Sequence, residues 1–210
     1  MGRRSRTPGQ RAGLTRATVL AAAHELLARQ GLEGLTMRAL AERLDVAPNA
    51  LYSHVASKTS LIDDMLDDVL AQVEAPPPDR ADPSTGLHQL MASTYRLLLA
   101  HPDLVPLYLA RQGARGPNAQ RLGDLMLRLL GRADVTGPSA REALRVLVVY
   151  TIGFAAFATR PPLEPDADRP LTTEELYNNF ATGLRWLLSG IRNTSPEASL
   201  QEPQLRPPGQ

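Results

Sequence analysis

The sequence predicts an all-α protein of about nine helices, a three-helix head followed by a helical-bundle body. Three observations predict it. Apolar residues recur through most of the chain at the spacing that lines one face of an α-helix. No segment shows the strict apolar–polar alternation of a half-buried strand. A proline-rich run, residues 75–83 (Ala-Pro-Pro-Pro-Asp-Arg-Ala-Asp-Pro), cannot continue a helix and marks a linker or sharp corner between two parts.

The elements follow in order. Residues 1–12 hold Arg, Gly and Pro and are expected to form a disordered basic arm. A helix over 15–29 carries Val19, Ala22, Ala23, Leu26 and Leu27 on one face, and Gly31 stops it. Thr36 is placed to cap the next helix, whose Met37, Leu40, Ala41 and Leu44 share a buried side. After the short link Asp45-Val46-Ala47, Pro48 opens a brief helix over 48–54. Ser57 caps a fourth that runs to about residue 74. Beyond the proline run, helices are expected over 84–100, 103–112 and 118–132, broken at His101-Pro102 and at 113–117. Two capping boxes, Ser139-x-x-Glu142 and Thr172-x-x-Glu175, would open helices reaching about 159 and 190. A flexible loop over 160–170 joins them, and 192–210 reads as a disordered tail. The expected units are therefore the arm (1–12), a head (13–60), a connecting helix (61–74), a body (75–191) and the tail (192–210).

Composition narrows the function. The chain has 210 residues, 43% hydrophobic but only 4% aromatic, so its core must be mainly Leu, Ala and Val. Without cysteine, disulfides and thiolate metal sites are excluded. The N-terminus lacks the apolar run of a signal peptide, and no stretch approaches 18 consecutive apolar residues, so a cytoplasmic protein with no membrane partner is expected. The net charge of +1 conceals an asymmetry: residues 1–60 hold nine Arg/Lys against four Asp/Glu, and 61–210 hold fourteen against eighteen. A basic end on a mildly acidic body suits a nucleic-acid partner, although Arg3, Arg4 and Arg6 of the arm supply much of the excess. There is no phosphate-cradling glycine loop, no nucleophile elbow and no His-x-x-x-His pair, which argues against an enzyme.

Residues 36–62 concentrate the chemistry. Leu40, Leu44, Val46, Leu51 and Val55 can form the apolar seam of a helix-turn-helix, with Ala47 as its small turn residue. That leaves Pro48, Asn49 and Ala50 exposed at the start of the second helix, where Asn49 can bond an adenine edge and Ala50 can touch a thymine methyl. Tyr52, His54 and Lys58, the only lysine in the chain, offer donors to phosphate oxygens. Taken alone, the pattern is equally compatible with two packed helices of an ordinary bundle.

Leu35-Thr36-Met37-Arg38-x-Leu40-Ala41-x-x-Leu44-x-Val46-x-x-x-x-Leu51-Tyr52-x-His54-Val55-x-x-Lys58-x-x-Leu61 resembles the N-terminal signature of the TetR family of bacterial repressors, without a gap. The rest of the chain matches in helix layout and is similar to the subclass containing the tetracycline repressor. The resemblance implies that Thr36 lies near phosphate and Arg38 near a base or phosphate, that Pro48, Asn49 and Ala50 face bases, and that Tyr52, His54 and Lys58 hold the backbone. The turn departs from the family by placing Asp45 where glycine is usual, a position Asp tolerates at some cost. That subclass's metal-binding histidine has no counterpart near Val105-Pro106-Leu107, so no metal, magnesium-bound tetracycline or cofactor is expected.

For the body, the resemblance implies a homodimer joined by the last two long helices. Both are apolar on more than one side, and Leu144, Leu147, Thr151, Ala155, Phe180, Leu184 and Leu187 are the candidate interface. A chamber for a largely apolar small-molecule effector would be lined by Met91, Tyr95, Leu98, His101, Tyr108, Arg111, Met126, Tyr150, Phe154 and Phe157, with His88, Gln89, Arg96 and Gln112 as further polar candidates. The expected function is a ligand-responsive repressor that binds a palindromic double-stranded DNA operator as a homodimer. The alternatives are a related activator or ligand-independent DNA-binding regulator, and a helical protein-interaction module.

Overall fold

The computed structural model describes residues 14–77, 79, 82–160 and 171–193. The arm over 1–12, the loop expected over 160–170 (beyond Arg160) and the tail from 194 lie outside the described residues. α1 (Arg16–Gly34) starts at a capping box in which Thr15 and Thr18 bond each other's backbone amides. It runs past the expected stop: Gly31, at φ 67°, kinks it, and one more turn follows. α2 (Met37–Arg43) is capped as expected by Thr36, whose hydroxyl accepts from the Ala39 amide at 3.1 Å.

α3 (Pro48–Leu51) is shorter than the sequence suggests. Residues 52–54 continue as turn, with the His54 and Val55 amides both donating to the Leu51 carbonyl. α4 (Lys58–Leu70) is capped by Ser57 and ends four residues before Glu74. There the amides of Ala71, Gln72 and Val73 each bond three residues back, tightening the last turn out of α-geometry.

The body consists of α5 (Pro83–Ala100), a 3-10 turn over Pro102–Leu104, α6 (Val105–Ala110), α7 (Pro117–Arg132), α8 (Gly137–Thr159) and α9 (Thr173–Asn193). The Thr172–Glu175 capping box is present. The Ser139–Glu142 box is not: α8 begins at Gly137, with Thr136 as N-cap and no side-chain bond to the helix end. α9 extends to Asn193, so the expected tail boundary at 192 falls inside the helix. No strand occurs among the described residues.

One continuous core links head and body. It runs from Val19, Leu26, Leu40, Leu51 and Val55 through Leu61, Met65 and Leu66 of α4 to Leu90, Tyr95, Leu98 and Leu129. α8 packs against α5, α6, α7 and α9 and is the body's central helix. By length and hydropathy α8 is apolar enough to cross a bilayer, yet only 28% of its most apolar stretch is buried within the chain.

Candidate nucleic-acid interface and its link to the body

The turn between α2 and α3 is a Schellman ending. Asp45 takes the left-handed conformation at φ 53°. Its amide donates to Glu42 O at 3.2 Å, and the Val46 amide reaches back to Ala41 O at 3.1 Å. Asp45 thus performs the role of glycine, at a steric cost of about 1–2 kcal/mol. Gln112 and Asp134 end α6 and α7 in the same way, so the device recurs in this chain.

This turn leaves Pro48 and Asn49 exposed and Ala50 half-buried at the front of α3, while Leu51 and Val55 are buried behind them. Tyr52 is 52% exposed despite its size. Thr36 and Arg38 stand exposed at the start of α2, with Arg38 Nε bonded to Glu42 across one turn at 3.1 Å. His54 is half-buried, two residues beyond Tyr52. Lys58 is not a free cation: its Nζ donates to Leu32 O at 3.3 Å, one of the carbonyls in α1's last turn. The ammonium keeps further donors for a phosphate.

α4 carries a doubled motif, Asp63-Asp64 and Asp67-Asp68, one turn apart. Asp64 and Asp68 face the head. Asp64 pairs with Arg16 at 2.5 Å, and Asp68 lies 3.9 Å from His24 Nε2. Asp63 and Asp67 face the body. Asp63 takes both arms of the Arg111 guanidinium, at 2.7 and 2.6 Å. Asp67, 6% exposed, accepts from the Ala119 amide at 2.8 Å and from the Asn118 amide and side chain at 3.2 Å. It caps α7 from another helix, because α7's own N-cap is Gly116 and has no side chain to offer. A Cβ on Gly116 would sit 2.5 Å from the Asp67 carboxyl carbon, so only glycine admits this approach. The Tyr108 hydroxyl donates to Leu66 O at 2.6 Å, and Arg121 bonds Leu70 O at 3.3 Å. Burial, reinforced by Asp67, pushes the Tyr108 pKa up, so the phenol keeps its donor proton.

His24, on α1, is held at this junction with its Nε2 buried and without a hydrogen-bond partner. Burial lowers its pKa, Asp68 opposes that, and His101 adds to it.

The proposed effector chamber is not assembled as expected. Met91, Tyr95, Leu98, Tyr108 and Met126 are fully packed core residues. His101 ends α5, and Arg111 is committed to Asp63. Phe157 is 66% exposed and cannot line an interior. Tyr150 and Phe154 line a surface groove between α8 and α9 instead.

The proposed dimer residues also need correction. Leu147, Thr151, Ala155, Phe180 and Leu184 are buried inside the single chain, where Phe180 stacks on Tyr95 at 4.1 Å. They are already covered and have nothing left to give a partner. Leu144 and Leu187 are half-buried. The uncovered apolar surface lies beside them, with Trp186 at 74% exposure, Val149 at 69%, and Val146 and Phe157 also exposed.

Comparison with known proteins fixes the context. The chain matches "Bacterial regulatory proteins, tetR family" over residues 19–65 and "Tetracyclin repressor-like, C-terminal domain" over residues 75–177. It is 34% identical over 157 residues to the tetracycline repressor protein class C of Escherichia coli, covering 74% of this chain and 70% of that one. The chain belongs to the TetR family.

An HTH-type transcriptional regulator of Saccharopolyspora erythraea is 36% identical over 132 residues, 60% of this chain but only 56% of its own length. A TetR variant from Acinetobacter baumannii, solved in complex with minocycline, superposes with a TM-score of 0.70 at 30% identity, covering 85% of this chain and 96% of that one. The protein is thus a TetR-family DNA-binding transcriptional regulator, not an enzyme.

Within this TetR-family chain, sequence reasoning missed Asp63, Asp64, Asp67 and Asp68. Their signal was legible: paired acids repeating at i and i+4 place two carboxylate stripes on one helix. Asp67's role as a cap across helices needed the fold, because its partners lie 51 and 52 residues away.

Proposed function

We propose that the protein is a repressor that holds a palindromic operator as a homodimer and lets go when a small molecule binds its body. What carries the reading is the pairing, at two ends of one chain, of an exposed helix-turn-helix with an uncovered apolar face on α8 and α9. The head offers Thr36, Arg38, Pro48, Asn49, Ala50 and Tyr52 on its surface, with His54 and Lys58 beside them. Thr36, Tyr52, His54 and Lys58 supply phosphate contacts; Asn49, Ala50 and Arg38 supply what base reading there is. The apolar face centres on Val149, Phe157 and Trp186 and continues into the groove lined by Tyr150, Phe154, Thr182, Gly183 and Leu187. A second copy covers it, because a two-fold pairing of identical faces buries both at once and sets two heads on a palindrome.

Support for a ligand comes from Tyr95. Its hydroxyl is buried without a hydrogen-bond partner at the centre of an aromatic cluster joining α5, α8 and α9. A lone buried hydroxyl costs about 1–3 kcal/mol, a penalty that an entering ligand with an acceptor removes. The doubly tied α4 then passes a shift of α6 or α7 to the head, and the ligand favours the released state.

Selection from a pool of random duplexes tests the reading, with sedimentation of the protein alongside. The expected result is a palindromic consensus and a mass twice 22.8 kDa. Trp186→Arg should give monomers that lose the consensus. A monomeric wild-type chain, or an asymmetric site, refutes the dimer reading.

A further inference from the structure

Two clefts of about 370 Å³ each open between α5 and α9. The first is lined by Glu74, Ala75, Pro76, Gln89, Arg96 and Tyr177, among others. The second is lined by Ser84, Thr85, Arg185, Leu188, Ser189 and Arg192. His88 lines both, so they form one groove between α5 and α9. From Ser84 to Arg96 the groove follows about 18 Å of α5.

Its chemistry is polarised. Arg96, Arg185 and Arg192 stand along it, Glu74 at one end is the single carboxylate among the described lining residues, and Asp82, which feels the field of Arg192, adjoins the other end. Arg96 is held over the Tyr177 ring at 5.3 Å and donates to its hydroxyl at 2.8 Å. Arg185 is steadied by Thr182 at 3.0 Å. Burial lowers the His88 pKa, and the fields of Arg185 and then Arg96 lower it further, so both cations act on the middle of the groove. Ala92, Pro76 and Leu188 are buried and supply an apolar floor. Arg96 and Arg185, held in place beside this floor, suit a chain of methylenes with an anionic group at each end.

The geometry points to a binding site in the α5–α9 groove for a small dianionic molecule of the dicarboxylate class, held by Arg96 at one end and Arg185 with Arg192 at the other. The site also reaches the DNA-reading machinery. Ser93, on its wall, accepts the Glu74 amide at 2.9 Å, and Glu74, Ala75 and Pro76 are joined to the end of α4 by the tight turn over 71–73. Occupancy therefore acts on the far end of the helix whose start touches the head, and this regulatory half rests on the ligand-responsive reading above.

Calorimetric titration of the full chain with suberate, an extended dicarboxylate, tests the site. Octanoate serves as the monoanion of equal chain length. Suberate is expected to bind, octanoate to bind about tenfold or more weakly, and Arg96→Gln and Arg185→Gln each to weaken suberate about tenfold or more. In the wild type, the His88 imidazole should titrate at higher pH once suberate is bound, because an anion offsets the two arginines. No suberate binding, or wild-type affinity in the two arginine variants, overturns the site. Suberate that binds in the groove without changing affinity for the selected duplex overturns the regulatory half alone.

Discussion

Asp67→Ala removes the carboxylate that caps α7 from α4. Three bonds go with it, two of them from backbone amides at a helix N-terminus. Losing a helix cap costs about 0.5–2 kcal/mol. The stranded amides, part-buried at the α4–α7 contact, add a desolvation penalty of about 1–3 kcal/mol. Packing lost with the small side chain is minor, so about 2–4 kcal/mol is expected in total. For a chain of this size each kcal/mol lowers the melting temperature by about 2–4 °C, which places the shift at about 5–15 °C. Asp67→Asn keeps one acceptor oxygen for one of the two amides and turns its NH2 towards the other, so its cost is expected to be about half that of the Ala variant, about 1–2 kcal/mol. Thermal unfolding followed by circular dichroism, at one fixed protein concentration so that self-association cannot shift the comparison, reads both. A melting temperature within about 1 °C of wild type for Asp67→Ala, or an Asn variant as damaged as the Ala variant, refutes the reasoning.

Further outcomes follow from the same geometry. Asp45→Gly should stabilise the head by up to about 1 kcal/mol in denaturant titration, since the left-handed penalty is lifted and part is returned as glycine entropy; Asp45→Val should destabilise it. Burial lowers the His24 pKa in the folded chain below the ordinary 6.5, so unfolding favours proton uptake and stability falls as pH drops below 6.5. His88 is shifted the same way, and the His24→Gln, His88→Gln double variant should lose this acid sensitivity between pH 6.5 and the carboxylate range. Arg111→Met, which frees Asp63, should leave duplex affinity near wild type while weakening the response to any effector of the body. An unchanged response in an effector-titrated DNA-binding assay counts against α4 as the link.

Much of this is written locally in the chain. Thr36, Ser57 and Thr172 are readable as caps because their partners lie three residues on. The apolar faces of α1 and α2 are readable by period. Prolines mislead in one direction. Pro48 reads as a helix opener, but Pro83, Pro117 and Pro138 open helices too, and a start placed after them comes one or two residues late. In α8 a Ser-x-x-Glu pattern inside the first turn imitates a cap. Periodicity also identifies apolar positions without saying what covers them. On α8, Leu147, Thr151 and Ala155 form the stripe facing the chain's own core, whereas Val146, Val149 and Phe157 form the neighbouring stripe left exposed. The sequence points to an apolar α8 but to the side of it that the chain itself covers. The chamber was hard to read for a related reason: Met91, Tyr95 and Met126 have the composition of a pocket wall and are packed as core.

The central claim is that the exposed head holds DNA chiefly through its backbone. Affinity for the selected duplex, measured by fluorescence anisotropy over a range of salt concentrations, tests it most directly. If a dimer neutralises about six phosphates, log K should fall against log salt with a slope of about −5. Tyr52→Ala should weaken binding to matched and mismatched duplexes alike, and Lys58→Ala should also flatten the slope by about 1–2. A slope near zero, or affinity unchanged in both variants, would contradict the account.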